Sequence, residues 1–366
     1  DPEGENWEVV ATGFRNQYDI DFNLEGELFT YDADMEWDIN TPWYRPTRIN
    51  HVISGAEFGW RNGSAKWPEY YSDSFGAVVN VGPGSPTGVT FGTGAKFPAK
   101  YQKAFFACDW SYGKLYAVHL KPNGSTYTGE VEEFIAGQPF PLTDLCISKR
   151  DGAMYIAVGG RKVQSGIYRV TYTGTKSTAP AKPRIEGAKE RAERHAIAKH
   201  HLKSDASVID KFWNHLGSAD RALRFTARTA IEKVPVENWA GKVLREKNTF
   251  AQLGGLISLA RLGGKEHQAP VIKALLALDY AKLKPQERYD LLRAYGLAFL
   301  RLGAPDAKQK AAVIAQLDSH YPSDLAFENI ELSNVLGYLQ TPDMITRSVE
   351  LITNAPTQEE QIAIAK

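Results

Sequence analysis

Pro86-Thr87-Gly88-Val89-Thr90-Phe91 has the β-branched and aromatic content of a short strand, and two other stretches align with it: Gln17-Tyr18-Asp19-Ile20-Asp21-Phe22 and Leu142-Thr143-Asp144-Leu145-Cys146-Ile147. Each is followed by a turn and a second run, Ala104-Phe105-Phe106-Ala107-Cys108, Glu27-Leu28-Phe29-Thr30-Tyr31 and Ala153-Met154-Tyr155-Ile156-Ala157 respectively. Two of the turns read Glu25-Gly26-Glu27-Leu28 and Asp151-Gly152-Ala153-Met154. Third strands are expected over Arg48 to Ile53, Lys114 to Leu120 and Gly166 to Tyr172, and a fourth over Val131 to Ile135. A repeat of about fifty residues with up to four short strands is the pattern of a β-propeller blade. About three blades are visible, preceded by Trp7-Glu8-Val9-Val10-Ala11, which reads as the outer strand of an earlier one. A propeller closes with at least about four. The remaining blades are therefore expected upstream or on a partner chain, the more so because Asp1-Pro2-Glu3-Gly4 resembles the interior of a longer protein.

From about Ile185 the residues change. Ala, Leu, Lys, Glu and Arg recur at helical spacing, as in Leu223, Ala227, Ala230 and Ile231 after a Ser218/Asp220 cap signal. A second helix is expected through Leu253 to Leu262, stopping at Gly263-Gly264, and a third through Leu291 to Leu300, stopping at Gly303-Ala304-Pro305. Arg261-Leu262-Gly263 and Arg301-Leu302-Gly303 match about forty residues apart, a period that suits HEAT-type repeats. Between the two grammars lies Thr173 to Pro183, rich in small residues and proline. The expected organisation is a β-then-α multidomain chain: a partial propeller over 1–172, a linker over 173–184, and HEAT-like α-helical repeats over 185–366.

The 366 residues carry 43 basic and 43 acidic side chains. Through Lys176 the count is 16 basic against 21 acidic, leaving 27 against 22 for the rest, too small an excess to expect nucleic acid. Cys108 and Cys146 allow a single bridge at most. No run of about 18 apolar residues marks a transmembrane segment, and no signal peptide is visible.

Ligands of propellers sit where the innermost strands begin, so Gly13-Phe14-Arg15-Asn16 stands out. Arg15 and Asn16 offer a charged fork and an amide for a carboxylate or quinone oxygen, or else satisfy carbonyls in a turn. Asp32, Asp34, Glu36 and Asp38 place four acids within seven residues, either a solvated loop or oxygen ligands for Ca²⁺, with Asp32 and Asp34 nearest the strand end. Gly55-Ala56-Glu57-Phe58-Gly59-Trp60-Arg61 would wall a pocket or pack in the core. Asp19 and Asp144 occupy equivalent repeat positions and would face the channel or cap amides between blades. His51 and His119 are expected in packing or at the surface, and His195, His200 and His201 in solvent. No nucleophile elbow, phosphate loop, dinucleotide motif or Cys-x-x-Cys-His haem motif is present.

Gly13-Phe14-Arg15-Asn16, Asp32-Ala33-Asp34, Arg48-Ile49-Asn50 and Gly55 to Trp60 resemble, in that order, the signature of soluble quinoprotein glucose/sorbosone dehydrogenase propellers. Ser85 to Gly88, Lys96-Phe97-Pro98 and Asp144 to Tyr155 continue the likeness. The whole chain resembles the large bacterial membrane-bound dehydrogenase-type proteins that join such a propeller to HEAT-like repeats and usually to a c-type haem domain. The resemblance implies a six-bladed propeller and a periplasmic or extracytoplasmic setting, with membrane association through other parts of the full protein. It also implies pyrroloquinoline quinone contacted by Arg15 and Asn16, with Glu57, Trp60 and Asp144 lining the site, and Ca²⁺ beside Asp32 and Asp34. Electrons would pass from a sugar or alcohol substrate to a haem domain or cytochrome outside this chain. The chain departs from the pattern at Gln17, Thr47-Arg48 and Glu57, and it has Leu142-Thr143 where cofactor-binding arginines fall. Three functions follow: a quinone-dependent sugar or alcohol dehydrogenase; a non-catalytic propeller/HEAT scaffold for a protein or glycan partner; and a Ca²⁺-dependent hydrolase or lactonase using Asp19, Asp34 and Asp144.

Overall fold

A computed structural model describes residues 2–37, 44–63, 65–160 and 162–365. One unit takes in the chain up to Glu69 together with Ser74–His195; the other comprises Tyr70–Asp73 and the chain from Ala196 onward.

In the first unit, three antiparallel sheets of three or four strands are laid down as meanders in chain order, beside a two-stranded antiparallel pair, Trp60–Arg61 with Ala65–Lys66. The first sheet holds Ile20–Phe22, Leu28–Asp32, Thr47–His51 and Val79–Gly82; the second Pro86–Phe91, Phe105–Asp109, Lys114–Asn123 and Thr126–Ala136; the third Leu142–Ile147, Met154–Gly160 and Val163–Val170. Two of the repeated first strands keep the limits read from sequence. The fourth strand of the first sheet was not legible, because Val79–Gly82 follows a long glycine- and tyrosine-rich excursion from the third.

The period of two decides the packing. Along Phe105–Asp109 every residue is buried, with Phe105 and Ala107 in a cluster with Phe29, Tyr31 and Ile49 of the first sheet. Phe106 and Cys108 turn the other way, onto Leu142, Met154 and Ile156 of the third. The middle sheet thus has two apolar faces. Phe106→Ala is expected to cost about 3–5 kcal/mol, whereas Ile167→Ala, at a side chain 72% exposed on the last strand, should stay within about 0.5 kcal/mol; urea denaturation of both variants checks the difference. Polar links join the sheets as well. Asp19 Oδ2 accepts the Val89 amide at 2.9 Å, and Asp21 Oδ2 accepts the Phe91 amide at 2.6 Å and the Thr90 hydroxyl at 3.1 Å.

Trp7 to Val10 form no strand. Ala11–Thr12 instead pair in parallel with Ala56–Glu57, because Gly13 (φ +77°) lets the backbone lie against Glu57: a Cβ there would fall 1.8 Å from Glu57 Oε1. Cys108 is buried and Cys146 exposed, and both are free thiols.

In the second unit α1 (Arg221–Glu232) starts at Asp220, whose carboxylate accepts the amides of Ala222 and Leu223. Later in the chain, with a further helix between each successive pair, come α2 (Thr249–Leu262), α3 (Pro285–Leu297) and α4 (Ala326–Tyr338). Leu223, Ala227, Ala230 and Ile231 are buried with Leu256, Leu259, Leu291, Tyr295 and Leu332 in one core. The two matching Arg-Leu-Gly endings differ in geometry: α2 ends regularly before Gly263, whereas α3 runs into a π-helical turn, Ala298–Leu302, that stops at Gly303 with φ 125°. His201 is buried rather than solvated, donating to the Thr226 carbonyl at 3.0 Å, and His200 packs on Phe212. Among the described residues no helix is long and apolar enough to cross a membrane.

Candidate functional site

Asp32 ends the second strand of the first sheet and is fully buried. Its Oδ1 accepts the amides of Arg15 (2.9 Å), Asn16 (3.0 Å) and Ala33 (3.0 Å). Its Oδ2 accepts Nε (3.2 Å) and Nη2 (3.1 Å) of Arg48, the residue opposite it on the neighbouring strand, and Lys66 Nζ lies 3.7 Å away. Arg48 also donates to the Phe58 carbonyl at 2.7 Å, and Lys66 donates to the Ala33 and Pro46 carbonyls. The sequence segments singled out above therefore converge on one carboxylate. What joins them is Asp32 with Arg48, not Arg15 with Asn16, whose contribution is backbone. The Arg15 side chain is one-third exposed and meets Glu36 at 3.4 Å.

Burial, and then the Arg48 charge, pull the Lys66 ammonium down to about 7, while Asp32 and Asp34 act to hold it up. Asp34 is buried and accepts the Gly84 amide at 3.0 Å; burial raises its carboxyl above the usual range. Asp38, the fourth acid of the segment, lies outside the described residues.

A second carboxylate, not noticed in the sequence, repeats the arrangement. Asp109 ends the second strand of the second sheet, and its Oδ1 accepts the amides of Ser85, Ser111 and Tyr112 at 3.0–3.3 Å. Its cross-strand partner is Lys114, which pairs instead with Glu133 at 2.7 Å. Asp109 Oδ2 is left buried without a hydrogen-bond partner, and burial raises its carboxyl. In both sheets an acid at the end of the second strand clamps the segment that leads into the first, with a cation at the facing position.

Glu57 Oε1 accepts the Gly59 amide (2.8 Å) and Arg61 (3.0 Å), and Oε2 accepts Thr12 (3.1 Å) and Arg61 (2.9 Å). Burial opposes its charge, but Arg61 and the Gly59 amide outweigh it and hold the carboxyl below its ordinary value. Phe58 is fully buried, stacked on Phe14 at 4.6 Å, so the turn packs at its centre; Trp60 donates to Met35 Sδ at 3.4 Å. Asp144 is exposed: its Oδ1 accepts the following amide, Leu145, and its side chain stands against Gly88. Asp19 caps an amide of the next sheet. The fit to Ca²⁺ is poor, since Oδ1 of Asp32 carries three amides and Oδ2 faces two protein cations. Among the described residues no three His, Cys, Asp or Glu side chains form a group that could hold a metal. A tricarboxylate quinone fares no better on the third sheet, where Leu142 is fully buried and Thr143 donates to the Ala157 carbonyl.

Another polar cluster went unread. Glu27 is buried and accepts His51 Nε2 (2.8 Å), His195 Nε2 (2.8 Å) and the buried Arg194 guanidinium. Burial alone would raise its carboxyl, yet the bonds from His195 and His51 and the charge of Arg194 hold it well below the carboxylate range. His51 is fully buried, which lowers it to about 4, so the neutral ring donates from Nε2 to Glu27 and accepts at Nδ1 from the Thr126 hydroxyl at 2.8 Å. His195, expected in solvent, is half exposed and tied to Glu27. Separation in sequence hid the group, since Arg194 and His195 lie more than a hundred residues from Glu27 and His51.

No family model and no curated protein matches the sequence. Among solved structures the chain is similar to a glucose dehydrogenase (18% identity, covering 46% of this chain and 49% of that one, TM-score 0.35). It is also similar to the PQQ-bound form of an aldose sugar dehydrogenase from Streptomyces coelicolor (14%, 44% of each chain, 0.33). A third is the soluble aldose sugar dehydrogenase from Escherichia coli in its apo form (17%, 44% and 45%, 0.34). The chain spans less than half the length of these structures. The likeness is one of partial fold, and no ligand or activity of this chain follows from it.

Proposed function

We propose that the first unit is a sugar-dehydrogenase-type propeller working as a binding scaffold, joined to a HEAT-like helical array with a binding face of its own. The carrying observation is the closed Asp32–Arg48 pair: the carboxylate that the resemblance sets beside Ca²⁺ has its oxygens occupied, and Asp109 repeats the amide clamp in the second sheet. Such acids hold the blade entrance in shape. Ile20 and Phe22 of the first sheet (54% and 57% exposed), with Tyr18 (72%) just before it, form an apolar face suited to a covering blade, which lies upstream or on a partner chain if the ring has the six blades that the resemblance implies.

A second reading keeps the quinone: a dehydrogenase of sugars or alcohols in an extracytoplasmic compartment, passing electrons to a c-type haem domain elsewhere. It is favoured by the Arg15 guanidinium, which the Asp32 clamp does not use. Absorbance titration of the chain with pyrroloquinoline quinone, with and without Ca²⁺, followed by dye-linked aldose oxidation, separates the two. The scaffold reading expects no saturable change and no turnover. Ca²⁺-dependent saturation that is lost in Arg15→Ala establishes the second reading.

A further inference from the structure

Within the second unit, the tetrapeptide Tyr70-Tyr71-Ser72-Asp73 lies against one face of α1, α3 and α4, and every residue of it is partnered there. The Tyr70 hydroxyl donates to Glu331 Oε1 (2.8 Å), and its ring packs on Tyr289 and Phe327, each at 4.9 Å. The Tyr71 hydroxyl donates to both oxygens of Glu331 (3.0 and 3.2 Å), and its ring stacks under the Arg293 guanidinium at 4.1 Å. Ser72 Oγ donates to Asp290 Oδ1 (2.5 Å). Asp73 takes a two-pronged bond from Arg293, Nε to Oδ1 at 3.1 Å and Nη2 to Oδ2 at 2.8 Å. Gln286 and Arg221 hold the carbonyls of Tyr70 and Tyr71 (2.7 and 3.0 Å).

The pattern is that of recognition rather than incidental packing. Gln286, Asp290 and Arg293 recur along one face of α3, and Phe327 and Glu331 along one face of α4, while Leu291, Leu292, Tyr295, Leu332 and Val335 of the same helices enter the helical core. Glu331 and Asp290 are 4% and 2% exposed. These exposures hold with the tetrapeptide in place: its hydroxyls partner the two carboxyls while covering them from water, Asp290 also taking Gln286 Nε2 at 3.1 Å. The groove therefore favours an occupant with hydroxyl donors and one carboxylate. Aromatic and Arg anchors of this kind dominate binding energy in protein interfaces.

We propose that this face of α1, α3 and α4 is a peptide-recognition groove for an aromatic-aromatic-hydroxyl-acid turn, filled in cis by Tyr70–Asp73 and open to a partner peptide of the same chemistry once that segment is displaced. The inference concerns the helical unit and stands whether or not the propeller binds a quinone. A tethered segment acts at an effective concentration of order millimolar, so a free peptide competes poorly with it until it is weakened.

The test uses the full chain and a fluorescein-labelled peptide of residues 68–75, read by fluorescence polarisation. The Tyr71→Ala/Asp73→Ala chain, which keeps the groove but loses the cis anchors, is expected to bind the peptide at least about tenfold more tightly than the unmodified chain. Adding Arg293→Ala, or replacing the peptide's Asp by Asn, should remove the gain. Asp73→Asn, closer in shape, carries the same comparison if the double variant does not fold, with circular dichroism as the check. A folded variant that binds the peptide no better than the unmodified chain, or equally well without Arg293, overturns the proposal.

Discussion

Asp32→Ala is expected to lower the stability of the propeller-like unit by about 3–5 kcal/mol, since it strands a buried guanidinium and a buried ammonium together. Arg48 and Lys66 are 3% and 4% exposed, so neither side chain reaches water where it stands. The loss should carry a pH signature. Lys66 titrates at about 7 in the fold against an ordinary 10.5, so between those values the unfolded chain holds a proton that the folded chain has released. Raising the pH across that window therefore stabilises the fold. Removing Asp32 takes away an attraction that holds the proton, so in the variant the gain should begin at a lower pH than in the parent. Urea denaturation at pH 6, 7.5 and 9 reads both effects. A cost below about 1 kcal/mol at every pH would mean that the carboxylate is not a committed partner of Arg48, and would reopen Asp32 as a metal ligand. Asp32→Leu combined with Arg48→Met should recover only the part lost by stranding the guanidinium, because the amides of Arg15, Asn16 and Ala33 still lose their acceptor.

Glu27→Ala belongs to the same class, again about 3–5 kcal/mol, because it leaves Arg194 buried without its counter-charge and two imidazoles without an acceptor. Here the pH dependence runs toward acid. Glu27 lies below its ordinary value and His51, at about 4, lies below 6.5. As pH falls from 6.5 toward 4 the unfolded chain takes up protons that the fold refuses, so stability is lost over that range. Thermal melts between pH 7 and 4 should show the parent weakening steadily, and Glu27→Gln should start lower and lose less. A parent whose melting temperature stays constant over that range would contradict a neutral, buried His51.

The sequence disclosed the parts of this molecule that obey a local period. Pro86–Phe91 and Leu142–Ile147 were bounded correctly because turn residues flank alternating β-branched strands, and the cap at Asp220 was readable because it acts within three residues. The convergence of Arg15-Asn16, Asp32, Arg48 and the Gly55 turn was legible as a set of motifs. The wiring among them was not. Whether Asp32 faces a metal or an arginine depends on cross-strand register, and Arg48 becomes its partner only because residues 29–32 pair with 48–51 in antiparallel order. The Glu27 cluster and the Tyr70–Asp73 groove draw on residues more than a hundred positions apart, at separations where spacing has no meaning. Val79–Gly82 escaped for a different reason, since a long excursion separated it from its sheet.

Asp19 and Asp21 sit two residues apart and meet the amides of Val89 and Phe91, also two residues apart. Strand amides at that spacing point out of a sheet edge, where they would otherwise recruit another chain. A pair of carboxylates set at the pleat period works as a comb that fits that edge and no other register. Neutralising both acids is thus a change in solubility as much as in stability: the inner edge of the second sheet would become a template for intermolecular strand addition, and the first symptom would be concentration-dependent assembly rather than unfolding.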